Sequence, residues 1–329
     1  MRTYLPLTLA LILPIVASAQ SIASFGGAGP SFSLSVDPQY PAPYSQATLS
    51  AQSDSLDLAN ATMTVTVDGK SFYQGGVPPP PLTLGKAGSI TKVVMTVTSD
   101  GTKYTQTVSI QPQDVALVAE PVSSAPPLYP GKPLAPIEGS VRVVAVANFR
   151  TTGGTALDPS TLSYKWTVDD TQIANSSGIG KNVVIVASPL QYRARTVSVA
   201  IASRDGSLVG GDSLSLSPQE PSVRIYENDP LLGIRFDRAL VNTFTITGAE
   251  STLYGAPFSV PTTYGAPFLQ WFVNSIAAQT GSSITLRPTG EGQGSASLSL
   301  TASSGTNATA SMNLSLVFGT TGGTNFFGL

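Results

Sequence analysis

Tyr164-Lys165-Trp166-Thr167-Val168-Asp169-Asp170 is the stretch that decides the fold. Side chains of a β-strand alternate between its two faces, so Tyr164, Trp166 and Val168 would point inward and the polar residues between them outward. The strand would bury one large aromatic side chain and run directly into a polar turn. We therefore predict that Trp166 marks the core of a β domain.

The same pattern occurs twice more, as Trp271-Phe272-Val273-Asn274 and, in weaker form, as Val65-Thr66-Val67-Asp68-Gly69. A hairpin turn follows each copy at nearly the same distance. Val65 lies 34 residues before Ser99, Trp166 lies 37 before Ser203, and Trp271 lies 33 before Ser304. This spacing predicts three similar domains, with Trp271 as the second tryptophan that marks a core.

Each hairpin serine also follows a matching set of alternating apolar residues, and Asp-Gly after Ser99 is a strong hairpin signal. The three sets are Val93, Met95 and Val97; Val197, Val199 and Ile201; and Leu298, Leu300 and Ala302. Units of about 100 residues with short strands and no amphipathic helical stretch predict an all-β chain of three tandem immunoglobulin-like β-sandwich domains. Another Greek-key sandwich is the alternative fold.

The expected boundaries follow from these landmarks and from the composition between them. They are a signal peptide at 1–19, a flexible lead at 20–30, immunoglobulin-like domains at 31–113, 114–219 and 220–318, and a flexible tail with an apolar tip at 319–329.

The N-terminus has the layout of a secretory signal peptide. Arg2 precedes an apolar run of about 12 residues, and Ala17-Ser18-Ala19 supplies the small residues that a signal peptidase requires. Since a bilayer span needs about 20 residues, an uncleaved anchor is the weaker alternative. We expect an exported chain that begins at Gln20, lies in the periplasm, at the cell surface or outside the cell, and has no membrane span after cleavage.

Composition excludes several functions. The 17 basic and 19 acidic residues form no runs, so we expect no binding to nucleic acid or to membrane surfaces. The chain has no cysteine, which excludes disulfides and thiolate metal sites, and no histidine, which excludes Ser-His-Asp and Cys-His nucleophile systems.

The remaining catalytic patterns are weak, and we predict that the chain is not an enzyme and has no catalytic residue. Ser89-Ile90-Thr91-Lys92 matches a Ser-X-X-Lys pattern, but it leads into a predicted strand rather than a helix. Asp169 and Asp170 are adjacent turn residues, expected to bind their own backbone rather than to flank a glycosidic bond.

We expect no cofactor. Calcium is the metal alternative, near the acidic residues Glu220, Glu227, Asp229 and Asp237.

Two apolar features are candidate contacts for a ligand or partner. Tyr254-Gly255-Ala256-Pro257-Phe258 repeats letter for letter as Tyr264-Gly265-Ala266-Pro267-Phe268. Aromatic residues on proline-turned loops stack on sugars or form protein hot spots. The alternative is that one copy packs at a strand entry and the other arose by local duplication.

The tail carries Phe326, Phe327 and Leu329 on a glycine- and threonine-rich tether. It would add to the sheet edge of another subunit, which gives self-association, or be recognised by a sorting machine. Folding back onto its own domain, or remaining frayed, is the alternative.

The stretch from Tyr164 to Asp170, followed by Gly178-Ile179-Gly180-Lys181 and the hairpin at Ser203, resembles the Ig-like and PKD-like domains found in tandem in uncharacterised exported bacterial proteins. The resemblance implies a spacer, an adhesive module or an envelope-assembly component, and it transfers no catalytic residues. We therefore predict a non-enzymatic exported protein whose partner is a protein or glycan at the cell surface. An array of carbohydrate-binding modules that uses the third-domain aromatic residues is the alternative.

Overall fold

A computed structural model describes residues 31–319, apart from 77, 128, 130 and 290–292. The predicted signal peptide and lead (1–30) and the tail residues Phe326, Phe327 and Leu329 lie outside the described residues. Across the described range, no helix is both long enough and apolar enough to cross a membrane. Two short 3₁₀ turns, Pro159–Thr161 and Ala174–Ser176, are the helical segments in that range.

The first sandwich has two antiparallel sheets, ordered β1-β2-β5 and β4-β3-β6-β7. Its strands are β1 Ser33–Asp37, β2 Gln46–Gln52, β3 Thr62–Val67, β4 Lys70–Gly75, β5 Leu82–Thr83, β6 Thr91–Ser99 and β7 Thr102–Ile110.

The second sandwich repeats this arrangement, with sheets β13-β9-β8 and β11-β10-β14-β15 and a short strand, β12, beside β10. Its strands are β8 Asp114–Pro121, β9 Ser140–Asn148, β10 Ser163–Val168, β11 Thr171–Gln172, β12 Gly178–Ile179, β13 Val183–Ala187, β14 Arg195–Ala202 and β15 Val209–Leu216.

The third sandwich adds two strands to this plan and has sheets β17-β16-β19-β22 and β18-β24-β23-β20-β21. The additions are β17, which lengthens the first sheet at its edge, and β18, which pairs in parallel with β24. The strands are β16 Ser222–Asp229, β17 Gly233–Leu240, β18 Thr243–Ile246, β19 Ser251–Phe258, β20 Phe268–Val273, β21 Ile276–Thr280, β22 Ser283–Leu286, β23 Gly294–Ser304 and β24 Ala308–Phe318.

Each sandwich has its own hydrophobic core, drawn from residues 32–110, 115–216 and 223–318. The strands that carry the landmark residues pair in the same register in all three: Val65 lies opposite Met95, Trp166 opposite Val199, and Trp271 opposite Leu300. Val65, Trp166 and Trp271 are all fully buried. The predicted all-β fold of tandem immunoglobulin-like sandwiches is confirmed.

Both tryptophans also bind the backbone of the segment that crosses between the sheets. The indole Nε1–H of Trp166 donates to the Lys181 carbonyl at 2.8 Å, and that of Trp271 donates to the Gly281 carbonyl at 2.9 Å. A buried indole N–H needs such a partner, since leaving it unpaired costs about 1–3 kcal/mol. The tryptophan therefore fixes the crossing segment as well as filling the core.

A turn residue after each landmark strand joins that strand to the other half of its sheet. The turn residue is Asp68, Asp169 or Asn274, and its side-chain Oδ1 accepts the backbone N–H of Lys92, Thr196 or Ser297 at 2.8–2.9 Å. The backbone N–H of the turn residue donates to the carbonyl of that same partner, which is Lys92, Thr196 or Ser297. The expectation that Asp169 binds its own turn backbone is wrong, because its Oδ1 accepts the N–H of Thr196 in the neighbouring strand β14.

The hairpins after the landmark strands occupy equivalent places but differ in form. Asp100 and Gly101 both have positive φ, as a two-residue type I′ turn requires. At Ser203 the loop is longer. The Ser203 N–H donates to the Leu208 carbonyl, and the Leu208 N–H donates to the Ser203 Oγ. Within it, hydrogen bonds from Ser203 and Ser207 lower the pKa of Asp205 to about 2.

Candidate functional site

The two copies of the repeated aromatic pentapeptide lie in different structures. Tyr254 to Phe258 form the second half of β19, where Gly255 faces the core and Tyr254 faces outward. The Tyr254 ring meets the edge of Phe236 at a centroid distance of 5.9 Å. The Phe258 ring contacts Tyr129 at 5.4 Å and lies beneath the Arg224 guanidinium at 5.3 Å. Tyr254 and Phe258 are thus engaged within the protein.

The second copy forms a turn and the start of β20, which belongs to the opposite sheet. Tyr264 is 64% exposed and Phe268 is 57% exposed. The structure therefore does not join the four aromatic residues into one surface, and it leaves Tyr264 and Phe268 as the pair open to solvent.

The candidate catalytic groups are separately engaged. The Ser89 hydroxyl donates to the Lys86 carbonyl at 2.7 Å and precedes β6, whereas Lys92 lies within that strand. Asp169 forms an ion pair with Arg195 at 3.0 Å.

Three of the four acidic residues of the calcium alternative have other partners. Asp229 accepts the N–H groups of Leu231 and Leu232, Asp237 pairs with Arg235, and Glu220 accepts from Gln191. Throughout the described part of the chain, no three acidic side chains are grouped closely enough to hold a metal ion.

The junction between the first and second sandwiches is tightly packed. Only three residues separate Ile110, at the end of β7, from Asp114, at the start of β8. The buried Gln113 side chain donates to the Arg150 carbonyl at 3.1 Å and accepts the Arg150 N–H at 2.8 Å. Gly88 donates to the Pro112 carbonyl, and a Cβ added at Gly88 would lie 2.6 Å from the Arg150 carbonyl oxygen.

The second junction is made by a loop of one sandwich that pairs with the next. In the segment 122–139, between β8 and β9, Ser124 donates to the Val260 carbonyl at 2.8 Å and accepts from the Ser259 N–H at 3.0 Å. Both carboxylate oxygens of Glu138 accept backbone N–H groups of the third sandwich, from Thr306 at 3.2 Å and Asn307 at 2.9 Å. Phe258 belongs to this junction through its contact with Tyr129.

A groove of about 560 Å³ opens at the first junction. It is lined by Ala42, Pro43, Tyr44, Lys86, Ala87, Asp114, Arg150 and Gly154, which come from both sandwiches. Tyr44 is 72% exposed and has a left-handed backbone, with φ of 61°. The sequence analysis did not find this site, because its residues come from three loops and the first residue of β8 and share no motif.

The strand order defines the class of protein: a tandem array of β-sandwiches in which a three-stranded sheet faces a four-stranded one, extended in the third unit. This division is the one found in immunoglobulin-like and fibronectin type III domains. No protein-family model matches the chain. The comparison with curated proteins gave no match.

Similar solved structures include domain arrays. The three N-terminal domains of the bacteriophage RB49 Highly Immunogenic Outer Capsid protein are 14% identical, with 88% of this chain and 99% of that chain covered and a TM-score of 0.24. The central fibronectin III array of RIM-binding protein is 8% identical, with 92% and 98% covered and a TM-score of 0.29. A Bacteroides ovatus protein of a mixed-linkage glucan utilization locus, SGBP-B in complex with a heptasaccharide, is 12% identical, with 91% and 70% covered and a TM-score of 0.22.

Proposed function

We propose that the chain is a non-enzymatic exported protein that holds a binding or assembly surface at a fixed distance, as a spacer, an adhesive or an envelope-assembly component. One observation carries the proposal: both domain junctions are held by hydrogen bonds rather than by free linkers, from the Gln113 side chain to Arg150 at the first and from Ser124 and Glu138 to the third sandwich at the second. Such junctions limit the relative motion that is otherwise the default between domains. Its partner would be a protein or glycan at the cell surface, and its location periplasmic, extracellular or on the cell surface.

Distance measurements test the proposed rigidity. Because the chain has no cysteine, spin labels at Lys165→Cys and Gln279→Cys are specific, and both positions are exposed. Double electron–electron resonance on the chain from Gln20 to Leu329 should give one narrow distance distribution. Glu138→Ala should broaden it, since the variant removes two acceptors that bind the third sandwich.

Glu250→Ala is the matched control, because that carboxylate pairs with Arg287 inside one sandwich. It should leave the distribution narrow. A broad distribution in the parent chain would reject the spacer role.

Assembly is tested separately through the tail. Removing Phe326 to Leu329 should lower the mass measured by light scattering if the tail adds to another copy's sheet. An unchanged mass would remove the tail from the assembly role.

Glycan binding by the third sandwich is the second candidate function, and the exposure of Tyr264 and Phe268 favours it. Exposed aromatic rings stack on sugar faces. Phe268→Ala should abolish glycan binding if this surface is the site, whereas Phe258→Ala should act mainly by loosening the second junction.

A further inference from the structure

The groove at the first junction contains two cations without an acidic partner. Among the described residues, neither Lys86 nor Arg150 forms an ion pair. Asp114 is the one acid in the lining, so the groove carries a net positive charge although the whole chain has a formal charge of −2. This net positive charge favours a ligand that carries an anionic group.

Arg150 is held in place before any ligand arrives. Its backbone N–H and carbonyl both bind the buried Gln113 side chain, and its Nη1 donates to the Gly154 carbonyl at 3.1 Å. A guanidinium has five N–H donors in a planar fork that matches a carboxylate, so further donors remain for a ligand. Preorganisation of this kind reduces the entropy lost on binding.

Tyr44 adds an apolar face beside the cations. Its N–H donates to the Gly85 carbonyl at 3.0 Å, which fixes the backbone in the left-handed conformation, and its ring is largely exposed. A large exposed aromatic ring next to unpaired cations suits a ligand that has both a flat apolar face and a negative charge. The groove volume lies within the range of small-molecule sites.

We propose that this groove binds an acidic oligosaccharide, with a sugar ring stacked on Tyr44 and a uronate carboxylate bound by Arg150 and Lys86. Asp114 would accept hydrogen bonds from sugar hydroxyls. A saccharide fits better than a peptide, because seven of the eight lining residues lie outside the strands and only Asp114 belongs to an edge strand, which is too little for main-chain pairing. The inference does not depend on the spacer role, since a groove of this form binds its ligand whether or not the second junction is rigid.

The test is calorimetric titration of the full chain with a galacturonic-acid oligosaccharide. Its methyl-esterified form, which keeps the rings and hydroxyls but lacks the charge, is the matched ligand. We expect binding of the acid, loss of binding for the ester, and weakening with added salt. Lys86→Gln and Tyr44→Asn should each weaken binding at least about tenfold. Asparagine tolerates a left-handed backbone, so the second change removes the ring and keeps the turn.

Two variants control for these changes. Lys103→Gln removes an exposed lysine elsewhere in the first sandwich, and Tyr192→Asn removes a tyrosine that is 86% exposed at φ of 63°. Both should bind like the parent chain. The proposal is overturned if the acid does not bind, if the ester binds equally well, or if the groove variants bind like the controls. Binding of a glutamate-rich peptide in place of the saccharide, lost in the same groove variants, would also overturn it.

Discussion

One side-chain oxygen after each landmark strand connects two strands that are distant in sequence. Asp68, Asp169 and Asn274 all have positive φ, and so do the residues that follow them. Aspartate and asparagine tolerate this conformation better than other residues with a Cβ. The same residue thus adopts the backbone conformation that the turn requires and accepts a hydrogen bond from the partner strand.

We expect Asp68→Ala to destabilise the first sandwich by about 1–2 kcal/mol, because it loses the acceptor for the Lys92 N–H and places alanine in the left-handed region. Hydrogen exchange at the Lys92 amide should accelerate accordingly. Asp68→Asn is the control, since Asn274 fills the same role in the third sandwich. If Asp68→Ala exchanges like Asp68→Asn at Lys92, the side chain does not hold this turn.

The sequence supports part of this result. Asp-Gly at Asp68 and Gly69 predicts a type I′ turn from composition. The hydrogen bond from Lys92 was not predictable, because Asp68 and Lys92 are 24 residues apart and meet only through the pairing of β3 with β6. For the same reason, the sequence alone indicates only a local role for Asp169 and Asp170.

The repeated pentapeptide shows that position in the sandwich overrides local sequence. In the first copy, β19 pairs with both β16 and β22, so the segment is extended in spite of Gly255 and Pro257. In the second copy, Gly265 has a φ of 114° and closes a turn. The difference therefore comes from neighbouring strands.

Gly255→Ala and Gly265→Ala should differ in where their effects appear. A Cβ at Gly255 would collide with Leu300 and lie 3.1 Å from Cζ2 of Trp271, and such overpacking costs about 1–3 kcal/mol. The indole NMR signal of Trp271 should shift in that variant. At Gly265 a Cβ would meet nothing within 4 Å, so the cost comes from backbone conformation and the indole signal should stay in place. Equal indole shifts in the two variants would contradict this assignment.

Two physical causes explain the strands that an alternating sequence pattern does not reveal. These strands include β4, β17 and β21, which lie at sheet edges, and β19, which contains a glycine and a proline. An edge strand has one neighbour and often two partly exposed faces, so it need not show the alternating pattern of a central strand. β21 is exposed at every residue, although it completes the sheet beside Trp271. The central strands, by contrast, were predictable from their buried, alternating side chains.

At the level of the whole chain, the first junction depends on a close approach at Gly88. This residue has a φ of 80°, and a Cβ there would lie 2.5–2.6 Å from two carbonyl oxygens of the second sandwich. A Cβ added at Gly211 of the second sandwich would likewise lie 2.6 Å from the ring of Tyr40 of the first. Side chains at these points would separate the two units.

Gly88→Ala should therefore open the first junction. With spin labels at Lys103→Cys and Lys165→Cys, we expect the distance distribution to broaden relative to the parent chain. Gly101→Ala is the matched control, because Gly101 has a φ of 75° and a Cβ there would meet nothing within 4 Å. It carries the same backbone cost without the collision. Equal broadening in both variants, or in neither, would contradict the role of Gly88.

The repeat of landmark residues allowed the three units to be predicted, but not the way they join. Gln113 and Glu138 have no sequence signature, because each acts through a backbone group presented by another loop. The groove was hidden for the same reason, since Tyr44, Lys86 and Arg150 come together only when the first two sandwiches are in contact.

The second junction also imposes an order on folding during synthesis. The Val260 N–H that donates to the Ser124 hydroxyl lies 136 residues further along the chain, so this contact can form only after part of the third sandwich has been synthesised. Before then the second sandwich can close its core, while Ser124 lacks its partner. The prolines in the segment 122–139, among them Pro126, Pro127 and Pro133, lack the N–H that strand pairing requires and discourage association with the wrong neighbour. The last sandwich to be made thus completes the one before it.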